Sequence, residues 1–216
     1  MRGGFHRAQR LSLTMARPRS KDKEMALLRS AVKIIATQGL RASTMMIARL
    51  AGVAEGTLFL YFPTKDVLLS AVFEHLLQDL EAGLGAPAAG VSSRQTAQFL
   101  WNRYIDWGAA NPDAYSTMNQ LLASDRLSAG QLRRVETLYA FPDLQACRRR
   151  FAGLTDREAL ALSDATEKAI ADTTVRLAMT RPQHAEAYKM AGFDMLWAAV
   201  TRGAEPPGLN PRAQRP

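Results

Sequence analysis

Ser43-Thr-Met-Met-Ile-Ala-Arg-Leu-Ala-Gly-Val-Ala-Glu-Gly-Thr-Leu-Phe-Leu-Tyr-Phe-Pro-Thr-Lys65 is the stretch from which the fold can be read. Ser43 and Thr44 offer N-caps for a short helix carrying Ile47, Ala48, Leu50 and Ala51, since a hydroxyl can accept from the unpaired amides of a first turn. Gly52 breaks that helix, because glycine reaches left-handed backbone angles at little cost. A second short helix is predicted from about Ala54 to Phe62, with Pro63 and Thr64 ending it and capping the next. Two helices joined by so tight a turn must cross steeply. The small side chains of Ala48 and Ala51 let their backbones approach. Ile47, Val53, Leu58 and Phe62 are predicted to bury against the preceding helix, which leaves Ala54, Glu55, Gly56, Thr57, Phe59, Leu60 and Tyr61 facing outward.

Working outward, Leu27, Leu28, Ala31, Ile34 and Ile35 recur at helical spacing and predict a helix from about Ser20 to Gln38, stopped by Gly39. On the other side, Lys65 to about Ala82 places Leu68, Ala71, Val72, Leu76 and Leu80 on one face. Gly83 to Gly90 is predicted to be a bend. Ser92 or Ser93 caps a helix running to Ala110, where Asn111-Pro112 halts it, and another spans about Asp113 to Ser124. Ser128 to Ala152 is predicted helical with an interruption near Pro142. Thr155-Asp-Arg-Glu158 matches a capping box opening a long helix to about Thr180, and a last helix follows from about Gln183 to Thr201. No alternating pattern of useful length and no internal repeat is present, so the predicted fold is all-α.

The chain of 216 residues carries a net charge of +8, with 22% charged and 47% hydrophobic residues. Residues 1 to 65 hold twelve basic side chains and three acidic ones, whereas the rest holds 16 basic and 17 acidic. The positive balance therefore belongs to the N-terminal third, which implies a polyanionic partner for that part. No apolar run reaches the roughly 18 residues of a membrane helix, and no secretory signal is evident, so a cytoplasmic protein without a membrane partner is expected. The single Cys147 reads as a small packed side chain. Residues 1 to 19 read as a flexible basic arm, within which Met15 could be the true initiator, and residues 203 to 216 as a disordered tail.

The short-helix pair, its narrow outward face and the local positive charge predict double-stranded DNA as the partner, with the second short helix presented to the major groove. Thr44, Thr57, Tyr61 and Lys65 lie around that face as phosphate ligands, with the arginine arm beyond. The run from Ile47 to Lys65 resembles the DNA-binding signature of the tetracycline-repressor (TetR) family, and the flanking helices extend the likeness over about residues 20 to 80. The resemblance implies an N-terminal three-helix helix-turn-helix domain, residues 20 to 66, and a larger helical effector-binding and dimerisation domain, residues 67 to 202. It implies a homodimeric repressor released from an inverted-repeat operator by a small molecule. By the same resemblance Glu55, Gly56 and Thr57 approach base edges, while Thr44, Tyr61 and Lys65 grip the DNA backbone. Phe59 departs from the family pattern, in which a tyrosine often reaches phosphate. Glu55 could accept from a cytosine amino group, or serve only as an acid at a helix N-terminus.

In the second domain, Trp101, Tyr104 and Trp107 share a helix with Arg103, and Met118 and Phe151 are expected to face them around a largely apolar effector. Arg103 and Arg176 are candidates to hold an acidic group. Small and apolar residues of the last two long helices, Ala165, Ala169, Ile170, Thr173, Leu177, Ala187, Ala191, Met195, Leu196 and Ala199, suit a four-helix dimer interface. The three histidines are scattered, no nucleophile motif or phosphate-binding glycine loop occurs, and neither catalysis, a metal nor a cofactor is expected. The competing reading is a helical protein-interaction module without DNA binding, its aromatics forming an exposed groove.

Overall fold

The computed structural model describes residues 20–138 and 153–201, and every regular element among them is helical. The helices are α1 (Lys21–Gln38), α2 (Thr44–Leu50), α3 (Glu55–Tyr61), α4 (Lys65–Leu84), α5 (Ser93–Ala110), α6 (Pro112–Leu122) and α7 (Ala129–Leu138). After residue 153 come α8 (Asp156–Thr180), a 3-10 turn (Pro182–His184) and α9 (Ala185–Thr201). None of the described helices is long and apolar enough to cross a membrane. The arm, the tail, Cys147, Phe151 and the predicted interruption near Pro142 lie outside the described residues.

Predicted stops and caps coincide with observed ones where the local chemistry is strong. Gly39 (φ 79°) and Gly52 (φ 70°) end α1 and α2 in the left-handed region that glycine alone enters freely. Ser92–Gln95 and Thr155–Glu158 form reciprocal capping boxes, and the Thr64 hydroxyl accepts from the Val67 amide. Ser43 holds the N-cap position of α2 but makes no side-chain capping bond, and Thr44 is already inside the helix. The bend after α4 is shorter than predicted. The helix runs through Gly83 to Leu84, with Gly85 beyond it, because Gly83 is a packing residue: a Cβ there would lie 3.2 Å from the Trp107 ring.

Helices α1 to α3 form a compact head around Leu27, Ala31, Ile35, Ile47, Leu58 and Phe62, while Val53 is only half-buried. α4 belongs to head and body alike. It is one continuous helix across the predicted boundary at residues 66 and 67, and Leu68, Val72 and Phe73 are fully buried. The body is built from the rest of α4 with α5, α6, α8 and α9, and α7 lies along α4. Arg134 of α7 pairs with Glu74 and Glu81 of α4, and Gln131 reaches Ser70 and Glu74.

The tightest approach in the body is between α8, α9 and α5 at Gly192. A Cβ there would run into the Thr174 hydroxyl and lie 2.8 Å from Trp101 Cζ2. Trp101 has little room to yield, since it is 7% exposed and its indole N–H donates to the Lys189 carbonyl at 2.9 Å. Gly192→Ala is therefore expected to destabilise the chain by about 1–3 kcal/mol, the usual cost of overpacking. Urea unfolding checks this; a variant as stable as the parent would show that α9 can shift to accept a methyl group.

Candidate nucleic-acid interface and effector domain

Ala54, Gly56, Phe59 and Leu60 of α3 are exposed, and Glu55, Thr57 and Tyr61 are half-buried, so the predicted outward face is largely outward. Gly56 sits in open space, with nothing within 4 Å of where a Cβ would be. The polar residues bordering the face are engaged with the protein itself. The Thr44 hydroxyl donates to Glu55 Oε1 at 2.6 Å, linking the first turns of α2 and α3. The Tyr61 hydroxyl accepts from the Ser20 amide at 2.9 Å, fastening the start of α1 to the end of α3. Lys65 Nζ donates to the Ala42 carbonyl at 2.7 Å and holds the loop before α2. Burial and the Arg126 charge, opposed by Asp66, keep the Lys65 ammonium below the usual lysine range. Thr57 makes no side-chain hydrogen bond among the described residues.

The body separates the aromatic residues that the sequence groups together. Trp101 and Trp107 are six positions apart, and at about 100° per residue they stand about 120° apart around α5. Trp101 faces α9, whereas Trp107 faces α4 and donates its indole N–H to Asp79 Oδ2 at 2.9 Å. Tyr104, Trp107 and Tyr115 form one aromatic group with ring centroids 5.9–6.5 Å apart. Met118 is buried on α6. Arg103 is corrected: it is exposed, on the outer side of α5, and its Nε donates to the Gly83 carbonyl at 2.9 Å. It therefore does not line the aromatic group. Arg176 is likewise exposed.

Several polar residues that organise the body were not singled out in the sequence. Asp172 of α8 accepts from the Tyr115 hydroxyl at 2.5 Å, from Asn119 at 3.3 Å and from Lys168 at 2.7 Å. Lys189, 5% exposed, holds Asp106 at 2.8 Å and Glu186 at 2.6 Å. Burial opposes the Lys189 charge, but the bonds to those two carboxylates outweigh it and raise its pKa. Arg94 stacks over Phe193 and pairs with Asp194. Lys189 and Arg94 thus tie α5 to α9.

The stripes expected to face another subunit are mostly free. On α8, Leu162, Ala165, Ala169, Thr173 and Arg176 are exposed at helical spacing, as are Ala187, Ala191, Met195 and Ala199 on α9. Ile170, Leu177 and Leu196 are a correction to that set. They are partly buried, and Ile170 and Leu196 are packed on the chain's own core.

Burial pushes the Tyr104 phenol up to about 12, opposed by its bond to Tyr115, with the neighbouring Asp172 charge adding a still smaller upward push. Burial, the neighbouring Tyr104 and the bond to Asp172 raise Tyr115 further in the same direction. A phenol whose folded pKa exceeds its unfolded 10.0 lends stability that is complete below pH 10 and is lost as pH rises through about 12. In an alkaline titration, tyrosinate absorbance from these two rings is expected to appear only together with loss of helical circular dichroism. Complete tyrosine ionisation near pH 10 with helicity intact would show that the group is open to solvent.

Comparison with known proteins agrees with this geometry. Residues 27–72 match the family model described as bacterial regulatory proteins, tetR family. The fatty acid metabolism regulator protein of Bacillus subtilis is 41% identical over 63 residues, which are 28% of this chain and 32% of that one. The chain spans about a third of the length of the curated relatives it matches. A crystal structure of a tetR family transcription regulator from Shewanella sp. PV-4 aligns at a TM-score of 0.65 and 24% identity, covering 82% of this chain and 97% of that one. The transcriptional regulator FadR of Bacillus subtilis, solved in complex with stearoyl-CoA, aligns at 0.53 and 20% identity over 80% and 97%. The match to the tetR family model lies in residues 27–72, and the helical layout of the body follows the fold of the tetR family transcription regulator from Shewanella sp. PV-4.

Proposed function

We propose that the protein is a DNA-binding transcription repressor that grips an inverted-repeat operator as a homodimer and leaves it when a small apolar effector binds. The observation that carries this reading is the exposed face of α3 on a head that, together with residues 1 to 19, holds the chain's positive balance. Glu55, Gly56 and Thr57 are the residues assigned to base edges, and Thr44, Tyr61 and Lys65 those that border the DNA backbone. Residues 20 to 66 act as the DNA-binding unit and 67 to 202 as the effector and dimerisation unit. The exposed stripes of α8 and α9 form the two-fold interface that sets two copies of α3 about 34–36 Å apart, one turn of B-DNA.

Gly56→Asp tests the DNA face without disturbing the fold, because the site is open and the backbone there is helical. Like charges brought together at an interface cost several kcal/mol, so retention of the DNA upstream of the protein's own gene is expected to weaken at least ~30-fold, with helical content unchanged. Equal retention of parent and variant would remove α3 from the interface. Failure of the parent to retain any DNA would favour the protein-interaction reading.

The effector site is assigned to the space between α4, α5, α6 and α8, around Tyr104, Trp107, Tyr115 and Met118. FadR of Bacillus subtilis, solved with stearoyl-CoA, shares the fold, which makes long-chain acyl thioesters the first effector class to test. The ligand must prefer the DNA-free arrangement, since one that binds both equally shifts nothing. Linkage then requires operator DNA to weaken ligand binding by the factor with which ligand weakens operator binding. Calorimetric titration of stearoyl-CoA into free and DNA-bound protein is expected to give these matched factors. Equal affinity in the two titrations would exclude it as the inducer.

A further inference from the structure

We infer that Phe59 and Leu60 of α3 read thymine methyl groups in the major groove, which makes thymine a required base in each operator half-site. The inference rests on the DNA-binding reading above and names the base chemistry that this face recognises. Phe59 is 41% and Leu60 64% exposed, whereas Leu58 and Phe62 are buried in the head. With Gly56 the two form one exposed stripe, spaced i, i+3 and i+4. A single exposed leucine is ordinary on a protein surface. Two large apolar side chains on the helix face that meets a polyanion are a different matter, because they bring neither charge nor a hydrogen bond to hold it.

The polar residues of α3 leave that stripe to the apolar pair. Glu55 accepts from the Thr44 hydroxyl at 2.6 Å, and the Tyr61 hydroxyl accepts from the Ser20 amide at 2.9 Å. Gly56 has no side chain, and nothing lies within 4 Å of where a Cβ would be, so the helix can come close to whatever faces it. The head supplies the attraction to DNA: residues 20 to 65 hold seven basic and three acidic side chains. In the major groove guanine, cytosine and adenine present donors and acceptors, and the thymine 5-methyl is the apolar group. Leucine or phenylalanine against a guanine–cytosine pair would cover polar atoms without giving them a partner, which costs free energy. Against thymine the same side chains bury a methyl group instead.

Deoxyuridine differs from thymidine by that methyl alone, so exchanging one for the other isolates the contact without changing any charge. The probe is the DNA upstream of the protein's own gene, amplified with thymidine triphosphate or with deoxyuridine triphosphate. Retention of both duplexes is measured for four full-length chains: the parent, Leu60→Ala, Phe59→Ala and the double variant. Burying one methyl is worth about fourfold in affinity, and a two-fold protein meets each contacted thymine twice, so the parent is expected to bind the deoxyuridine duplex at least ~10-fold more weakly. In the double variant that difference is expected to fall to within about threefold, as a double-mutant cycle requires of a direct contact. Leu60→Ala, at the more exposed position, is expected to keep full helical content and to show part of the loss should the double variant fail to fold. Equal retention of the two duplexes by the parent overturns the inference. A methyl preference that survives unchanged in the folded variants also overturns it, because the methyls then act through other residues or through DNA shape. So does a Leu60→Ala chain that retains both duplexes as the parent does but changes its sedimenting mass, which would assign the pair to a protein contact. A parent chain that retains neither duplex at low salt overturns the DNA-binding reading itself.

Discussion

Helix α6 holds the head to the body, and the rest of the arrangement depends on it. Three of its side chains donate to carbonyls of α1: Thr117 to Val32 at 2.9 Å, Gln120 to Ile35 at 3.2 Å and Ser116 to Ala36 at 3.3 Å. The Ala36 carbonyl belongs to the last turn of α1, whose carbonyls lack intrahelical partners, whereas that of Ile35 already accepts from the Gly39 amide and takes Gln120 on its second lone pair. The Val32 carbonyl can take a second donor because it has two lone pairs. Thr117 is completely buried, so without Val32 its hydroxyl would pay the desolvation cost of an unpaired group. On its other side α6 presents Tyr115 and Asn119 to Asp172 of α8. One helix of eleven residues thus touches both the head that carries the proposed DNA face and the long helix of the proposed dimer interface.

The head is stiffened by the same kind of economy. Each short helix has only seven residues and too few internal bonds to be stable alone. The bonds from Thr44 to Glu55, Ser20 to Tyr61 and Lys65 to Ala42 cross between elements and set the angle of α3 to its neighbours. Residues at the rim of the proposed DNA face therefore also maintain its shape. In such a site a substitution at Thr44 or Lys65 alters geometry as well as contact, whereas Gly56 and Thr57 alter contact alone.

Local signals in the sequence were reliable because their causes are local. Gly39, Gly52 and the two capping boxes act within one or two turns, and the apolar spacing of α1 and α4 names their buried faces. What the sequence could not reveal were partners chosen by tertiary contact. Thr117 lies 85 residues from Val32, and Lys189 lies 83 from Asp106; nothing near either residue points to the other. Gly83 looked like a helix breaker because glycine spacing does not reveal a tryptophan approaching from α5. Trp101, Tyr104 and Trp107 looked like one cluster because they share a helix, although the helical turn sends the two tryptophans to different neighbours. Ile170, Leu177 and Leu196 match the interface residues in type, and only the tertiary packing separates inward from outward.

For the proposed regulator, the size of the α6 joint bears on how release could work. A hundredfold coupling between effector and operator amounts to about 2.7 kcal/mol, within the usual range for allosteric pairs. A typical intramolecular hydrogen bond contributes about 1 kcal/mol, so the three bonds from α6 to α1 together are of that order. Dismantling the head is not required: its core residues, such as Leu27, Ile35 and Leu58, are fully buried, and exposing even two of them would cost more than the coupling needs. An effector lodged beside Tyr115 need only favour a position of α6 in which Thr117, Gln120 and Ser116 meet α1 differently. The head would then turn as a unit, carrying α3 out of register with its two-fold mate while every contact inside it remained intact.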